Sequence, residues 1–86
     1  MTTLILFIMA KKYIAMFYDS RHNPIDAYGP IYGEITDEKF NEAVKVAKRK
    51  KADIVVFERR TNGTFITEFA YYVKSGKTVS GRHFML

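Results

Sequence analysis

Two segments, residues 53–60 (DIVVFERR) and 64–73 (TFITEFAYYV), flank Asn62-Gly63, and each is apolar at both of its alternating sets of positions. Asn-Gly suits the two left-handed positions of a type I′ turn, so the segments are expected to pair as a hairpin. A second hairpin through Ser75-Gly76 leads into residues 78–85. With two-residue loops at both turns, Ile54, Val56, Phe65, Phe69, Tyr71 and Phe84 share one face. Val55, Phe57, Ile66, Ala70, Tyr72, Val79 and Met85 share the other, and His83 falls opposite Glu68 as a structural pair. A three-residue first loop with a glycine bulge would exchange the faces of the partner strand and still leave both apolar.

The chain offers one clear helix to cover them. Residues 37–51 follow Thr36 or Asp37 as N-cap, and Phe40, Ala43, Val44 and Ala47 recur at helical spacing. Glu38, Glu42, Lys45 and Arg49 lie on the opposite side. A helix of about four turns covers one face of a four- or five-stranded sheet and no more. The second face therefore has to meet the N-terminal apolar run, a second copy of the chain, or a ligand stacking on exposed aromatics.

Upstream of the helix, residues 11–19 (KKYIAMFYD) are β-branched, aromatic and apolar at both alternating sets, as in a central strand. Residues 20–24 (SRHNP) form a turn. Residues 25–35 carry Gly29, Pro30 and Gly33 within a strand-like series, which reads as an irregular edge strand or a structured loop. The expected fold is α+β: a small, mostly antiparallel sheet of four to five strands with one helix packed on one face. Its order is strand, irregular edge segment, helix, then a three-strand meander.

With 86 residues this is one domain, 1–86, and a chain of that length buries only about 60–65% of its unfolded surface. A thin core gains from a shared interface, so a homodimer is a natural expectation. There is no cysteine, hence no disulfide or thiolate metal site, and a cytoplasmic location is the default. The apolar run at residues 4–10 (LILFIMA) is too short for a bilayer, which takes about 20 residues. It also lacks the preceding charge and following cleavage site of a secretory signal. It reads as a buried strand, or as part of an extension ahead of a start at Met9, which would make residues 1–8 dispensable.

The net charge of +5 is unevenly spread. Through residue 42, Lys11, Lys12, Arg21 and Lys39 face Asp19, Asp26, Glu34, Asp37, Glu38 and Glu42. From residue 43 onward only Asp53, Glu58 and Glu68 oppose Lys45, Lys48, Arg49, Lys50, Lys51, Arg59, Arg60, Lys74, Lys77 and Arg82. Such a basic half favours an anionic partner. The candidate contact set is Lys48, Arg49, Lys50, Lys51, Arg59, Arg60, Lys74, Lys77 and Arg82. Cations at the end of a helix also complement its macrodipole, which accounts for Lys48–Lys51 without a ligand but not for the bases on the hairpins.

Six tyrosines and seven phenylalanines lie mostly on expected strands beside basic residues, and stacking of bases on such rings is one way that sheets grip single strands. Aromatics are also ordinary strand formers, and no RNP1-type pattern or OB-type strand count is present. Tyr28-Gly29-Pro30-Ile31-Tyr32-Gly33 lacks the spacing of a phosphate-binding loop and reads as a packed turn whose tyrosines cover the core. For catalysis only His22, near Asp19, Ser20 and Asp26, offers a base, with no nucleophile shown in reach. No cofactor motif or metal-ligand spacing occurs, and no motif is specific enough to name a family. The expectation is a non-enzymatic binding module for nucleic acid or another polyanion, with no membrane segment. The alternative is a protein-interaction or inhibitor protein that uses an uncovered sheet face or edge.

Overall fold

The computed structural model of the protein describes residues 11–85. The expectations for residues 1–8, the 4–10 run and the Met85 side chain lie outside what is described. In chain order the elements are β1 (Lys12–Tyr18), β2 (Pro24–Tyr32), α1 (Asp37–Arg49), β3 (Ile54–Thr61), β4 (Thr64–Tyr72), β5 (Lys77–Ser80) and α2 (Gly81–Met85). The strands build one antiparallel sheet in the order β2-β1-β3-β4-β5, with α1 against one face. This is the expected α+β architecture, including the meander after the helix.

Helix α1 starts at Thr36, whose side chain accepts from the Lys39 backbone N–H at 3.2 Å. It ends with Lys50 as cap and Lys51 in the left-handed region at φ 60°. Lys51 N–H donates to the Lys48 carbonyl at 3.1 Å and Ala52 N–H to that of Ala47 at 2.9 Å. That is the Schellman arrangement, in which glycine usually takes the position held here by Lys51. The apolar side of α1 buries Ala43, Val44 and Ala47, and its Phe40 ring stacks on Phe57 with centroids 5.6 Å apart. Tyr13, Ala15 and Phe17 of β1, with Val55 and Phe57 of β3, complete this core.

The turn at Asn62-Gly63 is the two-residue turn expected, with Thr61 paired to Thr64. The ladder then shifts, because Glu58 pairs with Thr67 while Phe57 pairs with Phe69, leaving Glu68 as an extra residue. A bulge of this kind moves everything beyond it to the opposite face. Phe69 and Tyr71 therefore join Val55 and Phe57 under α1, whereas Phe65 stays on the face of Val56. The flip foreseen from a longer loop is made by a mid-strand bulge instead.

Three further expectations are corrected. The second hairpin has a longer loop than the two residues expected, since Tyr72 pairs with Lys77 and residues 73–76 intervene. Residues 78–85 are not all strand, because β5 stops at Ser80 and α2 follows. Ser80 Oγ accepts from the His83 backbone N–H at 3.2 Å and caps that turn. His83 consequently does not oppose Glu68, whose carboxylate meets Arg59. Residues 25–35 contain a true edge strand, made irregular by register shifts and by a cis Gly29-Pro30 bond.

The second face of the sheet carries its own cluster, Ile54, Val56 and Ala70, flanked by Met16, Tyr18, Tyr72 and Val79. Phe84 of α2 packs on it, 5.9 Å from the Tyr18 ring, and His22 stacks on Phe84 at 4.9 Å. The chain thus covers part of this face with its own C-terminal turn, an occupant absent from the sequence-based choices. Gly81 makes the approach possible, since a β-carbon there would overlap the Thr67 carbonyl.

Candidate nucleic-acid interface

Strand register fixes Lys12, Arg59, Arg60 and Lys77 on the sheet, and the elements joined to it place the other basic residues. Lys77, Tyr72, Ile54 and Tyr18 form one row across β5, β4, β3 and β1, which marks the basal end of the sheet. Tyr32, Lys12, Arg60 and Phe65 form a row across β2, β1, β3 and β4 at the distal end. Six residue steps along β3 separate the rows by about 20 Å, at about 3.3 Å per step.

The basal end gathers cations from several separate segments. Helix α1 terminates there with Lys48, Arg49, Lys50 and Lys51, and Ala52-Asp53 lead straight into β3. Lys74 belongs to the β4–β5 loop beside them, since Val73 N–H donates to the Asp53 carbonyl at 3.0 Å. Lys77 opens β5 in the basal row. Arg21 joins from the β1–β2 turn, which closes where Asp19 N–H meets the Asn23 carbonyl at 2.9 Å. All of these side chains are exposed. Between the β1–β2 turn and the β4–β5 loop lies a cleft of about 290 Å³, lined by Ser20, Asp53, Ile54, Tyr72, Lys74 and Ser75.

Two of the basal carboxylates are already engaged. Asp26 Oδ2 lies 3.1 Å from Lys50 Nζ, and the other oxygen accepts from Ala27 N–H at 2.8 Å. The Ala27 N–H, with Lys50 next, holds the Asp26 carboxyl below the usual carboxylate range. Asp19 is likewise lowered, first by the Asn23 backbone N–H, because its Oδ1 accepts from Asn23 and Arg21, each at 2.9 Å. Both stay ionised to low pH. Lys50 is therefore neutralised where it stands, while Lys48, Arg49, Lys51, Lys74, Lys77 and Arg21 form no ion pair among the described residues.

The remaining expected contacts lie elsewhere. Arg59 is half-buried at the distal end with Nε 2.6 Å from Glu68 Oε1, a close charge contact without a well-aimed hydrogen bond. Arg60 sits over the Phe65 ring, 4.2 Å from its centroid. Arg82 is exposed on α2, which begins beside the middle of β4 where Ser80 pairs with Phe69. The nine expected residues are thus not one surface. Lys48–Lys51, Lys74 and Lys77 come together, Arg59 and Arg60 do not join them, and Arg21 belongs with the first group although it lies in the acidic half of the sequence; Arg82 lies on α2, whose Phe84 reaches the β1–β2 turn at His22.

Asp19 and His22, considered from sequence as catalytic groups, each have a local structural role. Asp19 serves the turn that holds His22, whose ring lies against Phe84 and whose backbone is left-handed at φ 66°. Among the described residues no group of three or more His, Cys, Asp or Glu converges in a way that could hold a metal ion. No described helix is long and apolar enough to cross a membrane. No family model, curated protein or solved structure matches this chain.

Proposed function

We propose that the protein is a non-enzymatic module that binds nucleic acid, as a polyanion, through the basal end of its sheet. One observation carries this reading: the β1–β2 turn, the end of α1, the β4–β5 loop and the start of β5 each deliver a cation to the same end of the sheet. The macrodipole favours the bases on α1 but has no bearing on Arg21, Lys74 or Lys77. Lys51 adds to the argument, because a side chain in the left-handed region costs roughly 1 kcal/mol that glycine would avoid, yet a cation occupies the position.

Charge reversal tests this directly. Lys51→Glu combined with Lys74→Glu is expected to weaken binding of a labelled DNA duplex, read by fluorescence anisotropy, by at least tenfold at moderate salt. Lys39→Glu, at the distal end where its Nζ meets the Tyr32 carbonyl, serves as the control and is expected to change binding far less. Equal losses in both variants would remove the basal end from the reading.

A second reading, a protein-interaction module or homodimer, is favoured by Phe65 and Ile66. They leave apolar surface on both faces of the β3–β4 hairpin near its tip. It predicts a sedimentation mass that rises with concentration and is indifferent to salt.

A further inference from the structure

The distal row has a composition that sheet packing does not account for. Tyr32, Lys12, Arg60 and Phe65 are direct cross-strand neighbours on four successive strands, so one face shows the sequence aromatic, cation, cation, aromatic. Strands lie about 4.8 Å apart, which spreads the four side chains over roughly 14 Å. The two rings are largely bare, Tyr32 at 60% and Phe65 at 55% exposure. Beside Phe65, a cleft of about 390 Å³ is lined by Lys12, Arg60 and the 61–64 turn, a size in the range of small-ligand sites.

Lys12 and Arg60 are like charges directly opposite each other, an arrangement that destabilises a sheet. Neither forms an ion pair among the described residues. The next carboxylate on this face is Glu58, two residues along β3 and opposite Ile14. An anion seated between the two cations relieves their repulsion. Aromatic rings on either side of that anion are suited to planar groups attached to it, and the guanidinium of Arg60 already lies over one ring, as a base stacked there would.

We propose that this row is a second site, distinct from the basal end, that takes single-stranded nucleic acid: Lys12 and Arg60 hold a backbone phosphate while the flanking bases stack on Tyr32 and Phe65. The roughly 14 Å span suits a short stretch of strand with its bases unstacked from one another, and a duplex, whose bases face inward, offers nothing to the two rings. The row therefore favours single strands over both duplexes and polyanions that have no bases.

The test uses the full chain and three probes: a labelled ten-nucleotide oligothymidylate, a ten-base-pair duplex and inorganic polyphosphate. Tyr32→Leu with Phe65→Leu keeps apolar side chains at two exposed positions, and an unchanged thermal midpoint checks the fold. The double variant is expected to weaken oligothymidylate binding by tenfold or more, since each lost stack is worth about tenfold, and to leave duplex and polyphosphate binding as they were. Oligothymidylate binding that survives the double substitution overturns the proposal. So does a double variant that changes only the sedimentation mass, which would assign the row to a second copy of the chain. Lys51→Glu with Lys74→Glu reads the basal end separately. If that pair leaves all three probes unaffected while Tyr32→Leu with Phe65→Leu still costs oligothymidylate binding, the basal reading fails and the distal site stands.

Discussion

The Asp26 carboxylate, on the edge strand β2, reaches Nζ of Lys50 at the end of α1, 3.1 Å away. The contact ties the helix terminus to the sheet edge and also withdraws one cation from the basal cluster. Asp26→Asn is expected to release Lys50, tightening duplex binding and steepening the plot of log affinity against log salt by about 0.9, the increment for one more phosphate neutralised. Anisotropy titrations of the parent and the variant at several salt concentrations measure both effects.

The same carboxylate, with Asp19, sets how the fold responds to acid. Both have folded pKa values below the ordinary 3.8, Asp26 through the Ala27 N–H and Lys50, and Asp19 through the Asn23 N–H first. The folded state therefore binds these protons less readily than the unfolded chain does. Their stabilisation is complete above the ordinary value and is lost as pH falls through the lowered ones. The thermal midpoint of the parent should drop more steeply below about pH 4 than that of Asp19→Asn, as followed by circular dichroism across an acid series.

Lys51 separates stability from binding. Its left-handed backbone suits glycine, so Lys51→Gly is expected to stabilise the fold by about 0.5–1 kcal/mol in chemical denaturation. Affinity for a polyanion should fall at the same time. A variant that is at once more stable and a weaker binder would show that this lysine serves binding at a cost to the helix terminus.

On the opposite face, α2 depends on Gly81. Any β-carbon there overlaps the Thr67 carbonyl, so Gly81→Ala must lift α2 and draw Phe84 away from Ile54, Val56 and Ala70. A loss of about 1–3 kcal/mol is expected, the usual cost of forcing extra volume into a packed site. Phe84→Ala acts on the same contact, so the double variant should lose less than the two single losses added together. Urea denaturation of the three variants checks this.

Much of the fold was legible because the signals were local. Asn62-Gly63 fixed its own turn, and the spacing of Phe40, Ala43, Val44 and Ala47, behind Thr36, marked α1 nearly to its ends. The bulge at Glu68 was not legible, since no glycine or turn residue marks it and both registers are apolar on either face. Residues 81–85 are too few to show a helical period, although Ser80 ahead of Gly81 is in retrospect a cap signal. The candidate site suffered from counting charge along the chain. Antiparallel strands bring the end of one segment beside the start of another, so Arg21 joins Lys74 while Arg59 and Arg60 go to the far end.

The exposed cations at the basal end are proposed to bind nucleic acid by displacing its counterions. The most direct test is the affinity of the unaltered protein for a DNA duplex over a fourfold range of salt. With about four phosphates neutralised, affinity should fall by about two decades across that range. Micromolar or weaker binding that stays level throughout would contradict the account.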